Sequence, residues 1–271
     1  MADKIPVSVI IPCFCCASTI KRAVGSVAKQ THKPAEVILV EDASSDNTLE
    51  VLQEIANEYL GWVKVVHLPR NQGAAYARNT GWHVASQPFI AWLDADDAWH
   101  PKKIEIQYKF MLENPQVILC GHEAKVIVDD IQPDWQLHDL DFKYISKNRL
   151  LISNPFVTPS VMIRKDIKFR FDPNKRYMED HLLWLQIICD HHKIAKLNLA
   201  LVAMYKQAYG SSGLSSHLWA MEKSDLDNYW ILYKARKIDF ISVNILSFYS
   251  LIKYLRRLIV IVLRRINFVR Q

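Results

Sequence analysis

Glycine is scarce. The chain has seven glycines in 271 residues, and none falls into a G-x-G-x-x-G turn or a G-x-x-x-x-G-K-[ST] loop. The two glycine-built phosphate cradles are therefore excluded, and any nucleotide must be held in another way. Cysteine says little more. Three of five crowd into "CFCC" (13–16), the others are Cys120 and Cys189, and no His or further Cys stands at zinc spacing. An odd count with no disulfide framework is expected of reduced cytosolic thiols. "MADKIPVSVIIP" has neither a basic n-region ahead of a long apolar stretch nor a small-residue cleavage site, so no signal peptide is expected.

Acidic residues are missing from the C-terminal end. From Phe240 onward there are six basic residues (Lys253, Arg256, Arg257, Arg264, Arg265, Arg270) and no acid. The rest of the chain carries 28 basic against 28 acidic residues, so the net charge of +6 belongs to this tail. A basic groove across the protein, and with it a nucleic-acid partner, is not expected. With half its residues hydrophobic, the chain has globular composition and length enough for one large domain or two small ones.

What is present begins with alternation. "VSVIIP" (7–12), "EVILVED" (36–42), "VKVVHL" (63–68), "PFIAWLD" (88–94) and "VILC" (117–120) read as strands apolar on both faces. Helical segments at 17–30, 47–59, 73–85 and 101–113 separate them. That pattern predicts an α/β fold with a mostly parallel central sheet flanked by helices. Residues 121–178 lose the rhythm. Helical periodicity returns at 178–190, "YGSSGLSS" (209–216) reads as a loop, and a helix follows over 218–237.

Ligands of open parallel sheets bind at the carboxyl ends of strands. Two strands here end in acid: the second in Glu41-Asp42, the fourth in Asp94-Ala95-Asp96-Asp97. Asp94 and Asp96 supply hard oxygens at a spacing that suits Mg²⁺ or Mn²⁺ shared with substrate phosphates. A polar turn with Asp97 capping the next helix is the alternative reading.

Five blocks, in order, decide between them: "VSVIIPCF", "SVAKQTHKPAEVILVEDASSDNT", "NQGAAYARNTG", "FIAWLDADDAWHPKKIE" and "YMEDHLLWL". Together, over roughly residues 6–217, they resemble the family 2 inverting glycosyltransferases of GT-A fold. The resemblance implies a nucleotide-sugar donor, usually a UDP-sugar, and a divalent metal, Mn²⁺ or Mg²⁺. It implies that "LDADD" is the D-x-D motif, with Asp94 and Asp96 facing the ribose and the metal-bound diphosphate. Pro12, Phe14 and Asp42 would form the base-binding lip, where a carboxylate at Asp42 can accept the N3–H of uracil. Arg78 would serve the diphosphate or the sugar hydroxyls, and Gly73 would let the backbone approach closely. Asp180 of "YMEDHLLWL" would be the general base toward the acceptor hydroxyl, with Glu179 orienting acceptor or donor. Ser211, Ser212 and His217 stand where relatives close a loop over the diphosphate. This chain departs from the family at Phe14-Cys15, commonly Tyr-Asn, and at Glu41-Asp42-Ala43-Ser44, commonly Asp-Asp-Gly-Ser.

The organisation expected is a donor-binding half over 1–120, an acceptor-binding half over 121–217 and C-terminal helices over 218–271. "LIKYLRRLIVIVLRRINFVRQ" (251–271) is too interrupted by charge to span a bilayer. Lys253, Arg256, Arg257 and Arg264 fall within about a third of a helix circumference, which makes an amphipathic basic helix suited to an anionic membrane surface. These features suggest a peripheral enzyme on the cytoplasmic face of the inner membrane that adds one hexose to a polyprenyl-diphosphate-linked saccharide in O-antigen or capsule synthesis. A transferase of the same fold on a soluble or protein acceptor, with the tail as an oligomer contact, and a non-catalytic membrane-bound scaffold are the alternatives.

Overall fold

The computed structural model describes residues 4–128, 131, 133–205 and 217–269, with side chains to residue 260. The amino-terminal half alternates as the apolar runs predict: β1 (Ile5–Cys13), α1 (Ile20–Ala28), β2 (Pro34–Glu41), α2 (Thr48–Glu58), β3 (Val63–His67), α3 (Ala74–Val84) and β4 (Phe89–Trp92). β1 pairs in parallel with β2 and β4, and β2 with β3. Side chains alternate across the sheet as the strand period requires. Val7, Val9 and Ile11 enter one core with Val37 and Leu39, beneath α1 and α2. Ile10, Ile38 and Val40 enter the other, beneath α3. Gly81 is needed there, because a Cβ would stand 2.4 Å from the Ile10 side chain.

The second half departs from simple alternation. It comprises β5 (Ala98–Trp99), α4 (Lys103–Glu113), β6 (Val117–Ile127), β7 (Phe142–Tyr144), α5 (Lys147–Ile152), a 3₁₀ turn (Thr158–Ser160), β8 (Met162–Arg164), α6 (Glu179–Cys189) and β9 (Lys193–Tyr205). All nine strands form one sheet of order β3-β2-β1-β4-β8-β6-β9-β5, with β7 on β9. The strand expected at 117–120 therefore does not adjoin β4. Three-residue β8 is inserted between β6 and β4, antiparallel to both. β9, which periodicity leaves unassigned, is thirteen residues long and runs parallel to β6. The sheet is mixed on this side and parallel on the other.

α7 (Leu218–Lys234) and α8 (Phe240–Val269) close the chain. α8 meets the rest of the protein through buried Val243 and Ser250, while Phe240, Ile241, Ile245, Phe248, Leu255 and Ile259 are exposed. Among the described residues, no helix is long and apolar enough to cross a membrane. α6 sends Leu183, Trp184 and Ile187 into the core on the α3 face. There Trp82, Trp92, Phe171 and Trp184 form a cluster of edge-to-face and tilted rings with centroids 5.1–6.3 Å apart.

Candidate active site

The β4 chain leaves the sheet in a tight turn, closed by the Asp97 N–H on the Asp94 carbonyl at 3.1 Å. α1 and β9 pin this turn from two sides. The Arg22 guanidinium donates to the Asp96 carbonyl at 2.7 Å. Buried Asp97 accepts the Tyr205 N–H at 3.2 Å. Asp97 is therefore not the cap of α4, whose N-cap is Lys102 with no side-chain cap bond. Asp94 remains partly exposed and Asp96 is exposed.

Arg78, on α3, is 6% exposed and lies 5.5 Å over the Phe171 ring of the aromatic cluster. Its fork spans two carboxylates: Nη2 to Asp94 Oδ1 at 3.0 Å and Nη1 to Glu179 Oε1 at 2.8 Å. A residue from the strand-end motif and one from the E-D motif, 85 positions later, are thereby joined through one guanidinium. Burial raises the Glu179 pKa above the ordinary carboxylate value; Arg78 opposes the shift, and neighbouring Asp180 adds to it.

Asp180 follows in the first turn of α6. Its Oδ2 accepts Asn154 Nδ2 at 3.2 Å and Thr158 Oγ1 at 3.3 Å, and its Oδ1 accepts the His181 N–H at 2.6 Å. Sequence reasoning missed Asn154 and Thr158, because the loop "SNPFVTPS" carries no motif that points to them. The turn into α6 is strained: Met178 has φ 55° and ψ 23°.

The ends of β1 and β2 form a second group. Phe14 is 51% exposed and Pro12 is half-buried. Asp42 is buried, and its two carboxylate oxygens accept the Gln72 and Gly73 N–H groups at 2.7 and 2.8 Å. It holds the entry to α3, where Gly73 has φ 86°. An ionised carboxylate has about four lone-pair sites, so each oxygen can accept once more. Glu41, also missed as a site residue, accepts the Ala43 and Ser44 N–H groups and His67 Nδ1 at 3.1, 2.6 and 2.7 Å. It stabilises Ala43 at φ 53°, the position that is commonly glycine in the resembling family. The Cys15 N–H donates to Ser44 Oγ at 2.9 Å and links the two loops. His217 is exposed and stacks loosely on Tyr177, centroids 6.2 Å apart. Ser211 and Ser212 lie outside the described residues.

Asp94 and Asp96 fit a hard divalent ion. Both offer oxygen, and Asp94 keeps Oδ2 while Arg78 takes Oδ1. Among the described residues no three His, Cys, Asp or Glu side chains form a closed cage. The set suits an ion that completes its shell with phosphate oxygens and water.

Carboxylates at the ends of parallel strands, met by an acidic helix N-terminus across a buried arginine, are the arrangement that the resemblance to nucleotide-sugar transferases implies. The chain belongs to the glycosyltransferases of family 2: the model described as Glycosyl transferase family 2 matches residues 8–171. It is 28% identical over 253 residues to the Escherichia coli UDP-Glc:alpha-D-GlcNAc-diphosphoundecaprenol beta-1,3-glucosyltransferase WfgD, covering 93% of each chain. It is 30% identical over 232 residues to Bacillus subtilis TuaG, provisionally assigned to teichuronic acid biosynthesis, covering 84% of this chain and 87% of TuaG. Solved structures share the fold. Staphylococcus aureus TarS 1–349 with UDP-GlcNAc matches at TM-score 0.68 and 19% identity, over 90% of this chain and 70% of that one. Mannosyltransferase PcManGT of Pyrobaculum calidifontis, in complex with GDP-Man and Mn²⁺, matches at 0.66 and 15%, over 91% and 70%.

Proposed function

We propose that the chain transfers one hexose, with inversion, from a UDP-sugar to a saccharide carried on polyprenyl diphosphate. The work would be done at the cytoplasmic face of the inner membrane, in synthesis of a surface polysaccharide. The observation that carries this reading is the Arg78 fork, which couples Asp94 on the donor side to Glu179 beside Asp180 on the acceptor side. The activity for which WfgD is named supports the donor and the lipid-linked acceptor class. The lone acid-free basic stretch after Phe240, with its exposed apolar residues, supports the membrane surface.

Residues 1–120 would supply the donor site, 121–217 the acceptor site and 218–271 the membrane contact. Phe14 stacks on the base, and the second lone pairs of the Asp42 carboxylate accept the uracil N3–H. Asp94 and Asp96 would hold Mn²⁺ or Mg²⁺ at the diphosphate site. When bound, that ion neutralises charge growing on the leaving phosphate. Arg78 fixes Asp94 and Glu179 relative to each other, so Glu179 serves as an orienting group. Asp180, bonded by neutral donors, is the stronger candidate to take the acceptor proton as that oxygen attacks from the face opposite UDP. An α-linked donor then gives a β-linked product.

Two variants test this together. Calorimetry should find UDP binding that requires Mn²⁺ and vanishes in Asp96→Ala. Asp180→Asn should keep that binding and lose transfer from UDP-glucose to prenyl-diphosphate GlcNAc by at least about a hundredfold. Full transfer by Asp180→Asn would remove the base assignment. Mn²⁺-independent UDP binding would remove the metal.

A further inference from the structure

The residue after the proposed base has no part in the mechanism above, yet its ring is buried and bonded at both nitrogens. His181 is 1% exposed. Its Nδ1 lies 3.0 Å from Asp225 Oδ1 on α7, and its Nε2 lies 2.8 Å from the Leu150 carbonyl on α5. Both partners are acceptors only. A neutral imidazole carries one N–H and would set a lone pair against one of these oxygens, whereas an imidazolium satisfies both. The other Asp225 oxygen receives Ser250 Oγ of α8 at 3.2 Å. The Tyr229 hydroxyl has one proton and lies nearer the Leu151 carbonyl, at 3.0 Å, than Asp225 Oδ2, at 3.4 Å. The charged groups that act on the pair are Asp180 on the ring's own helix, Glu222 beside Asp225 on α7, Lys253 on α8, and Lys175, whose ammonium donates to the Ser224 carbonyl at 3.1 Å; α5 contributes the Leu150 carbonyl.

The same face of α7 holds the strained turn that leads into the E-D pair. Ser224, Asp225 and Asn228 are buried at i, i+1 and i+4. Ser224 Oγ donates to the Tyr177 carbonyl at 2.5 Å, and Asn228 Nδ2 donates to the Met178 carbonyl at 3.1 Å. Met178 is the left-handed residue that aims Glu179 and Asp180. A side chain with a Cβ stays in that conformation only where its surroundings hold it.

We propose that the His181–Asp225 ion pair, with Ser224 and Asn228, is a positioning clamp that holds Asp180 and Glu179 in the transfer site and ties them to the C-terminal helices. The clamp touches no reacting atom. It acts through the His181 N–H on Asp180 Oδ1 and through the Met178 turn. The C-terminal pair α7–α8 is then part of the catalytic architecture as well as a membrane contact. This inference rests on the assignment of Asp180 as the base.

The test uses the full chain. Ring ¹⁵N spectroscopy of the wild type at pH 7.5 should find both His181 nitrogens protonated. Asp225→Asn keeps shape and hydrogen bonding but loses the charge, and it should remove one ring proton. It should also speed amide exchange over residues 177–182. With UDP-glucose and prenyl-diphosphate GlcNAc as probes, its kcat should fall about tenfold to a hundredfold, with Mn²⁺-dependent UDP affinity unchanged. Asn228→Ala, a milder change that keeps the ion pair, should loosen the same amides. A neutral His181 in the wild type, or wild-type exchange and kcat in a folded Asp225→Asn, would overturn the clamp. Asp180→Asn at wild-type rate would instead overturn the base assignment, while the spectroscopic and exchange results would still report on the clamp.

Discussion

Replacing Arg78 with methionine probes the junction of the two halves of the site. The substitution keeps most of the volume and removes the charge. In the native protein the guanidinium is 8% exposed, Glu179 11% and Asp94 33% at the side chain, with contacts of 2.8 and 3.0 Å. Loss of one partner from a buried pair costs about 3–5 kcal/mol, because the other charge stays buried and unpaired. Asp94 is partly solvated, so its share is at most about 1 kcal/mol. We expect R78M to lose about 3–4 kcal/mol at pH 8, most of it through Glu179. That loss depends on pH. The folded-state pKa of Glu179 is raised by burial and held back by Arg78, so removing Arg78 raises it further. An acid with a raised folded pKa binds its proton more tightly when folded. Its contribution is complete below the unfolded pKa and is lost as pH rises through the folded one. The penalty for R78M should therefore shrink toward pH 5 by at least about 1 kcal/mol. Urea unfolding followed by tryptophan fluorescence reads this directly, since Trp82, Trp92 and Trp184 sit in the cluster under Arg78. A penalty below about 1 kcal/mol, or one equal at pH 5 and pH 8, would refute the argument. R78K should recover part of the stability, as a point charge cannot fork to two carboxylates.

Three other perturbations have defined outcomes. Ala43→Gly relieves a left-handed alanine and should raise stability by about 0.5–1 kcal/mol, a shift of a few degrees in Tm by calorimetry; a lowered Tm would contradict the strain. Trp184→Ala should cost about 3–5 kcal/mol in urea unfolding, since the side chain is wholly buried against the rings of Trp92 and Phe171. Charge reversal at Lys253, Arg256 and Arg257 should abolish co-sedimentation with vesicles containing phosphatidylglycerol at low salt and leave Mn²⁺-dependent UDP binding intact. Equal sedimentation of variant and wild type would remove the membrane role of α8.

The parallel half of the fold was legible because its signal is local. β1, β2 and β4 are apolar on both faces, and helices follow β1 and β2 directly and β4 after the short β5, so composition and order suffice. β8 was not legible: three residues, "MIR", have no period to read. Their place between β4 and β6 is set by pairings with residues more than forty positions away. The site divides in the same way. Asp94, Asp96, Glu179 and Asp180 announce themselves as acids at element termini. What joins or orients them does so less plainly: the resemblance singled out Arg78 for the diphosphate or the sugar hydroxyls but not as a link between two carboxylates, and Asn154 and Thr158 read as loop residues. Long-range hydrogen bonds to side chains leave no periodic trace.

Backbone strain points to the same residues independently. Among the described residues, five that are not glycine have positive φ: Cys15, Ala43, Met178, His191 and Arg236. Three of the five border the site: Cys15 follows β1, Ala43 follows β2 and Met178 precedes α6. Each costs on the order of 1–3 kcal/mol and persists only where the surroundings over-determine it. Those surroundings are on hand: Ser44 at the Cys15 N–H, Glu41 at the Ala43 N–H, and Asn228 at the Met178 carbonyl. Two of the strained residues stand in the lip proposed for the base and one aims the proposed catalytic acids. Strain of this kind holds loops in a shape that a relaxed turn would abandon, so the cleft is set before any ligand arrives. A glycosyl transfer driven mainly by placement and charge needs that rigidity more than it needs additional reactive groups.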